Sequence, residues 1–117
     1  MVDIIIYLES QLLCIEQLCH RVVIGCPATS TPVGEFIVDK ILLNPKPISP
    51  YGKPYPAAKL GGTVITFTNT NFAIHGWDDQ SIFKADSNAC SFGCVRVPQS
   101  LLKDLVYKYY FNKIIIE

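Results

Sequence analysis

Short runs of β-branched and aromatic residues, separated by turn-forming residues, recur along most of this 117-residue chain and constrain its fold most strongly. Ile, Val and Thr number 14, 9 and 6 against 6 Ala, so strand-favouring residues far outnumber the best helix former. The runs predict eight strands, at residues 2–7, 11–15, 20–26, 36–43, 63–68, 72–75, 94–97 and 112–116. We therefore expect a mainly β fold.

One segment near the end of the chain has a helical pattern instead. Pro98 suits the first position of a helix, and the apolar residues at positions 101, 102, 105, 106 and 109 then fall on one helical face. This spacing predicts a single principal helix.

Residues 44–62 contain five prolines and three glycines, which together prevent regular strand pairing. Loops of this length inside a small domain are uncommon and often have a functional role. The segment is therefore predicted to form a lid or wall beside a site.

Length and charge exclude several classes of protein. A chain of 117 residues is expected to form one domain, residues 1–117, and half of these residues are hydrophobic, enough for a core. The net charge is +0, so we expect no nucleic-acid partner and no binding to an anionic membrane. No apolar run is long enough for membrane insertion, and Asp3 and Glu9 stand where a secretory leader has its basic and apolar regions. We therefore expect this chain to carry no leader.

Five cysteines occur, at positions 14, 19, 26, 90 and 94. This odd number means that any complete set of disulfides leaves one free thiol. The spacing of the first three, with His20 among them, does not match the paired ligands of a zinc site, so no metal site is predicted.

Two segments combine residues suited to covalent chemistry: residues 72–77 (FAIHGW) and residues 91–97 (SFGCVRV). A thiol becomes a strong nucleophile when a nearby imidazole takes its proton. Cys94 could supply the thiol and His75 the imidazole. Gly93 allows a substrate carbonyl to approach the backbone, where amide hydrogens stabilise an oxyanion. The combination indicates acyl transfer.

These segments resemble the signature of the L,D-transpeptidase catalytic domain family (YkuD; ErfK/YbiS/YcfS/YnhG), in which His-Gly precedes Ser-x-Gly-Cys-hydrophobic-Arg/Asn. Here the pair is His75-Gly76, and fifteen residues lie between His75 and Ser91. Four further segments resemble parts of the same family: residues 23–25 (VIG), residues 31–36 (TPVGEF), Pro56 with the Leu-Gly pair at 60–61, and the predicted helix. The similarity spans essentially the whole chain.

The resemblance implies a two-sheet mixed β-sandwich with one principal helix, and it implies roles for four residues. Cys94 is the expected nucleophile and His75 the expected base. Gly76 is expected to hold the imidazole through its backbone carbonyl, and the amides of Gly93 and Cys94 are expected to form part of an oxyanion hole.

Other residues of the motif have roles that the resemblance leaves open. Ser91 is expected to support the loop that carries the Ser-x-Gly-Cys motif, residues 91–94, called here the motif loop. Arg96 either meets a substrate carboxylate or braces the site. Many family members carry a second His where this chain has Phe92, so no second imidazole is expected to take part. Cys90 is interpreted as structural or incidental.

The activity implied by the resemblance is peptidoglycan L,D-transpeptidation, which serves cell-wall organisation and cell shape. Cys94 would attack the third residue of a tetrapeptide stem, release the terminal D-Ala and pass the acyl group to an acceptor amine. The family implies no metal or organic cofactor, inhibition by carbapenem-type β-lactams, and a location in the periplasm or cell envelope. Two alternatives stay open: an L,D-carboxypeptidase or cysteine amidase that hydrolyses the same bond, and a non-catalytic envelope-binding domain.

Overall fold

The protein is a mainly β structure with one α-helix, as the sequence predicts. The computed structural model describes residues 1–43, 63–68, 70, 72–77, 80–84, 87–91 and 93–117, so the predicted loop at 44–62 and Phe92 lie outside the described residues. The elements are β1 (Val2–Tyr7), β2 (Leu12–Ile15), β3 (Leu18–Arg21), β4 (Gly34–Leu43), β5 (Thr63–Phe67), β6 (Ala73–Trp77), β7 (Val95–Pro98), α1 (Gln99–Lys108) and β8 (Phe111–Ile116).

The strands are hydrogen-bonded in the order β3-β2-β1-β8-β4-β5-β6-β7. The pairs β1–β8 and β6–β7 are parallel and the others are antiparallel, so the predicted mixed pairing is confirmed. Strand β4 belongs to two sheets, because its first half pairs with β8 and its second half with β5. A register shift between Val38 and Lys40 marks the change of partner, and such a bulge lets one strand pass between sheets.

The core lies between the two sheets and beneath the helix. Alternate residues of β1, such as Ile4 and Ile6, are buried in the same apolar cluster as Ile74 of β6. Helix α1 adds Leu102 and Leu105, the two buried residues of its predicted apolar face. Full burial of a side chain of this size contributes roughly 1.5–3 kcal/mol, so these contacts fix the helix against β5, β6 and β7.

Most predicted strands differ from the observed ones by one or two residues at an end, and two differences have a clear physical cause. The third strand ends at Arg21 rather than continuing to residue 26, because Val23 forms an isolated bridge with Arg96 and leaves β2. The helix begins at Gln99, one residue late, because Pro98 pairs with β6 as the last residue of β7.

Four of the five cysteines form disulfides. The first, Cys14–Cys19, joins β2 to β3 and is called here the hairpin disulfide. The second, Cys26–Cys90, joins residues 64 positions apart. The free thiol that an odd count requires is that of Cys94.

Within the described ranges, no helix has the length and apolar character needed to cross a membrane.

Candidate active site

Strands β6 and β7 run parallel and side by side, and their register brings His75 opposite Arg96. The neighbouring pair, Ile74 and Val95, is fully buried in the core between the sheets. Because successive side chains of a strand point to opposite faces, His75 and Arg96 project from the other face of this sheet. We call this second side the His75 face.

Cys94 joins the same face from the residue that immediately precedes β7. It lies two positions before Arg96, and residues two apart on an extended backbone project to one side. The side chain packs with Ala73 and Val64, the latter being the β5 partner of His75. The fold therefore brings the predicted nucleophile and base to adjacent strands on one face.

The ring of His75 is held in one tautomer. Its side chain is only 2% exposed, and Nδ1 lies 3.0 Å from the backbone carbonyl oxygen of Gly76. A carbonyl oxygen only accepts hydrogen bonds, so Nδ1 carries the hydrogen and donates it. The neutral ring then keeps its lone pair on Nε2, the nitrogen that a base must use to receive a proton.

Burial sets the protonation states of both reactive groups. Desolvation lowers the pKa of His75 below 6.5, the positive charge of Arg96 lowers it further, and the hydrogen bond to Gly76 partly opposes both. Desolvation also raises the pKa of the Cys94 thiol above 9.0, opposed by a hydrogen bond from the Ala73 backbone and by the charge of Arg96. At neutral pH the pair therefore consists of a protonated thiol and a neutral imidazole.

The loop before Cys94 is held by the side chain of Ser91. The Ser91 hydroxyl donates a hydrogen bond to the Cys94 carbonyl and accepts one from the Gly93 N–H at 3.1 Å. The Gly93 N–H is thus already engaged, which changes the expectation that both amides serve an oxyanion. No hydrogen bond joins the Cys94 N–H to another residue in the described ranges, so this amide is the better candidate donor.

Gly93 occupies a conformation that other residues resist. Its φ is +126°, and a Cβ at this position would overlap the ring of Phe72. A glycine immediately before the candidate nucleophile, Cys94, therefore has two physical causes, a positive φ and a lack of space. Gly76 also meets a neighbour closely, because a Cβ there would lie 3.2 Å from Gln99 at the start of α1.

Arg96 is fixed by its backbone and by one aromatic contact. Its N–H and carbonyl both bond to Val23, at 2.8 and 3.0 Å. The guanidinium lies 4.2 Å from the centroid of the Trp77 ring, a cation–π geometry. Its Nε is buried and has no hydrogen-bond partner among the described side chains and backbone. The arrangement places a positive charge beside His75 with donor capacity to spare.

Two threonines for which the sequence predicted no role also hold the motif loop. The Thr31 hydroxyl donates to the Gly93 carbonyl at 2.8 Å, and the Thr29 hydroxyl donates to the Ser91 carbonyl at 2.9 Å. Both contacts join residues 62 positions apart, so no local pattern could reveal them. Cys90, which the sequence leaves as structural or incidental, forms a disulfide with Cys26 and thereby anchors the chain immediately before Ser91.

No group of three or more His, Cys, Asp or Glu side chains in the described part of the chain is arranged to hold a metal ion.

The family of this chain is shown by a family-model match over residues 4–109, described as the L,D-transpeptidase catalytic domain, YkuD. The match covers most of the chain, which therefore belongs to the L,D-transpeptidase catalytic domain family. A search of curated proteins found no match.

Solved L,D-transpeptidase structures have the same fold. A cysteine-to-serine mutant of the Enterococcus faecium L,D-transpeptidase is 24% identical with a TM-score of 0.79, covering 99% of this chain and 49% of that one. The catalytic domain of the E. faecium enzyme acylated by ertapenem is 25% identical with a TM-score of 0.74, covering 99% and 96%. Mycobacterium tuberculosis L,D-transpeptidase 3 with a faropenem-derived adduct is 13% identical with a TM-score of 0.73, covering 99% and 60%.

The chain spans about half the length of the first matched structures, and nearly all of the isolated E. faecium catalytic domain.

Proposed function

We propose that this chain is the catalytic domain of a peptidoglycan L,D-transpeptidase in which Cys94 is the nucleophile and His75 the base. The observation that carries the proposal is that the free thiol and a buried imidazole lie on one face of two adjacent strands. Family membership supports the reaction class, and the hydrogen bond to Gly76 supports the base, because it leaves Nε2 free to accept a proton.

The acylation step follows from the resting states of the two groups. As the Cys94 sulfur attacks the carbonyl carbon of the third stem residue, its proton passes to Nε2 of His75. The carbonyl oxygen becomes an oxyanion, for which the Cys94 N–H is the proposed donor. When the tetrahedral intermediate collapses, the bond to the terminal D-Ala breaks, and its nitrogen leaves with the proton from His75. The product is a thioester on Cys94.

The second step reverses these roles. An acceptor amine attacks the thioester and gives its proton to the neutral His75 ring. The new amide bond forms, the sulfur leaves, and the proton returns to it, so that the resting thiol and imidazole are restored. Water in place of the amine would make the enzyme a carboxypeptidase, and analysis of the products separates these two outcomes.

The surroundings of His75 favour proton transfer during attack over a preformed thiolate–imidazolium pair. Burial raises the pKa of Cys94 and lowers that of His75, so both shifts favour the neutral forms. The charge of Arg96 lowers the pKa of both groups, which stabilises a thiolate but opposes an imidazolium. The two proposed roles of Arg96, binding a substrate carboxylate or bracing the site, are alternatives.

We also propose a location in the periplasm or cell envelope, and β-lactams as inhibitors. Two disulfides in so short a chain favour an oxidising compartment, since cytosolic thiols are kept reduced. Neighbouring L,D-transpeptidase structures carry ertapenem and a faropenem-derived adduct, which supports the same chemistry here.

The experiment is intact-protein mass spectrometry after incubation with ertapenem, in parallel for the parent chain, Cys94→Ala and His75→Ala. We expect one adduct on the parent, none on Cys94→Ala, and acylation of His75→Ala slowed by about 100-fold or more, the usual contribution of a general base. Purified tetrapeptide stems with an acceptor amine then test for a cross-linked product. A folded parent chain that forms no adduct, or an adduct that persists without Cys94, would contradict the proposal and favour a non-catalytic binding domain.

A further inference from the structure

The hydroxyl of Thr31 occupies a defined place between two backbone segments. Thr31 is only 3% exposed. Its Oγ1 accepts a hydrogen bond from the Gly25 N–H at 2.9 Å and donates one to the Gly93 carbonyl at 2.8 Å. A hydroxyl has a single hydrogen to donate, so both bonds have a fixed direction.

The Gly93 carbonyl belongs to the same peptide group as the N–H of Cys94. A trans peptide is planar, and its carbonyl and N–H point in opposite directions. A donor that fixes the carbonyl therefore also fixes the direction of the Cys94 N–H. Hydrogen bonding to the carbonyl also polarises the peptide and strengthens its N–H as a donor.

The packing around Gly25 shows how tightly this contact is built. A Cβ at that position would overlap the Thr29 carbonyl, and would lie 2.7 Å from the Thr31 nitrogen and 3.0 Å from the Gly93 Cα. Only glycine at position 25 lets its own backbone, the backbone of residues 29–31 and that of Gly93 approach one another this closely. On the other side of the nucleophile, the Ser91 hydroxyl holds the Cys94 carbonyl, so both peptide groups flanking Cys94 are held by a hydroxyl.

We propose that Thr31 is a positioning residue for the reaction, whose hydroxyl orients the Cys94 N–H toward the oxyanion. This inference rests on the proposed function, because it requires Cys94 to attack a carbonyl. It assigns a chemical role to a residue that the sequence marks only as the first of a segment, residues 31–36, that resembles the family.

The test compares three variants with the parent chain. Thr31→Val removes the hydroxyl with little change in shape, and Thr31→Ser retains it. Thr66→Val is the matched control, because Thr66 is 4% exposed and its hydroxyl also bonds to backbone, at Lys40, but two strands away from β7. Each protein is assayed for ertapenem acylation and for alkylation of Cys94 by iodoacetamide, a reaction that forms no oxyanion.

We expect Thr31→Val to slow acylation about tenfold or more, as misplacement of a reactive geometry does. Thr31→Ser and Thr66→Val should acylate within about threefold of the parent, since the hydroxyl that matters is retained. Alkylation should be equal in all four proteins. If Thr31→Val does not fold, Thr31→Ala carries the same prediction without a second methyl against the Gly25 N–H.

The inference alone would be overturned by parent-like acylation of Thr31→Val, or by an equal slowing of acylation and alkylation, which indicates general loosening around Cys94. A drop in acylation that Thr31→Ser does not restore would overturn it as well. Failure of the parent chain itself to be acylated is distinguishable from these results, and it would overturn the proposed function together with this inference.

Discussion

Replacement of Gly93 by alanine tests the account of the motif loop most directly. The substitution adds a single methyl group to a residue whose φ is +126°, and that methyl would overlap the ring of Phe72. The chain offers a matched control in Gly34, whose φ is +145° but whose added Cβ would meet the Phe36 ring at an ordinary 3.4 Å. Gly34→Ala therefore imposes the backbone strain without the steric overlap.

The two costs can be estimated separately. A non-glycine residue held in such a backbone region costs about 1–3 kcal/mol, and both substitutions incur this loss of unfolding free energy. Extra volume in a packed region costs a further ~1–3 kcal/mol, which only Gly93→Ala incurs. At roughly 4 °C per kcal/mol for a chain of this size, Gly93→Ala should melt about 4–12 °C below Gly34→Ala.

The assay is thermal and urea unfolding followed by circular dichroism, with ertapenem acylation measured on the folded proteins. Gly93→Ala should slow acylation, because it displaces the peptide that precedes Cys94, whereas Gly34→Ala should acylate like the parent. In a Phe72→Leu background the excess cost of Gly93→Ala should shrink, because the smaller side chain yields space. Equal stability of the two alanine variants, or an excess cost that persists undiminished in the Phe72→Leu background, would refute the steric argument.

Two further predictions follow from the pKa shifts and the disulfides. Because the pKa of His75 is lowered in the folded state, the free energy of unfolding should fall as pH drops below about 6.5, where the unfolded chain binds a proton first. The rate of acylation should decline at lower pH still, as the folded protein is titrated through the lowered pKa of His75. Because the pKa of Cys94 is raised, stability should also fall as pH rises above about 9.0. Urea unfolding measured at a series of pH values should therefore show a plateau of stability between these two limits. A stability maximum outside them would contradict the direction of the two pKa shifts. Replacing Cys26 and Cys90 by serine should cost about 4 kcal/mol and slow acylation, whereas loss of the hairpin disulfide should cost about 2 kcal/mol and leave acylation unchanged, since loop-closure entropy grows with loop length. Equal acylation by the two disulfide variants would contradict an anchoring role.

Local sequence patterns predicted the elements well where local forces decide them. The run of β-branched and aromatic residues identified β1 with its observed bounds, and the apolar spacing of α1 identified the helix to within one residue. Turn and strand preferences act within a few residues, so they can be read from the sequence. They ended the third strand wrongly, because Val23 is held by Arg96, a partner 73 positions later in the chain.

Long-range pairing is what the sequence alone did not reveal. Nothing local indicates that β8 lies in parallel beside β1, that Cys26 bonds to Cys90, or that the Thr31 hydroxyl reaches Gly93. The resemblance to a known family supplied the candidate pair of Cys94 and His75, but it did not indicate that the Gly93 N–H is engaged by a hydroxyl. That detail required the packing of the loop.

The neutral resting pair has a further chemical consequence in the oxidising compartment proposed for this domain. The thiolate, and not the thiol, attacks disulfides and peroxides, so a free cysteine in a chain with two disulfides risks exchange and oxidation. Burial raises the pKa of Cys94 and keeps the sulfur protonated at neutral pH, which slows both reactions. In the proposed mechanism, the proton leaves only when a bound carbonyl lets attack and transfer to His75 occur together. Under that proposal, desolvation of the same two side chains limits damage to the thiol between turnovers and confines its reactivity to a substrate that reaches the His75 face.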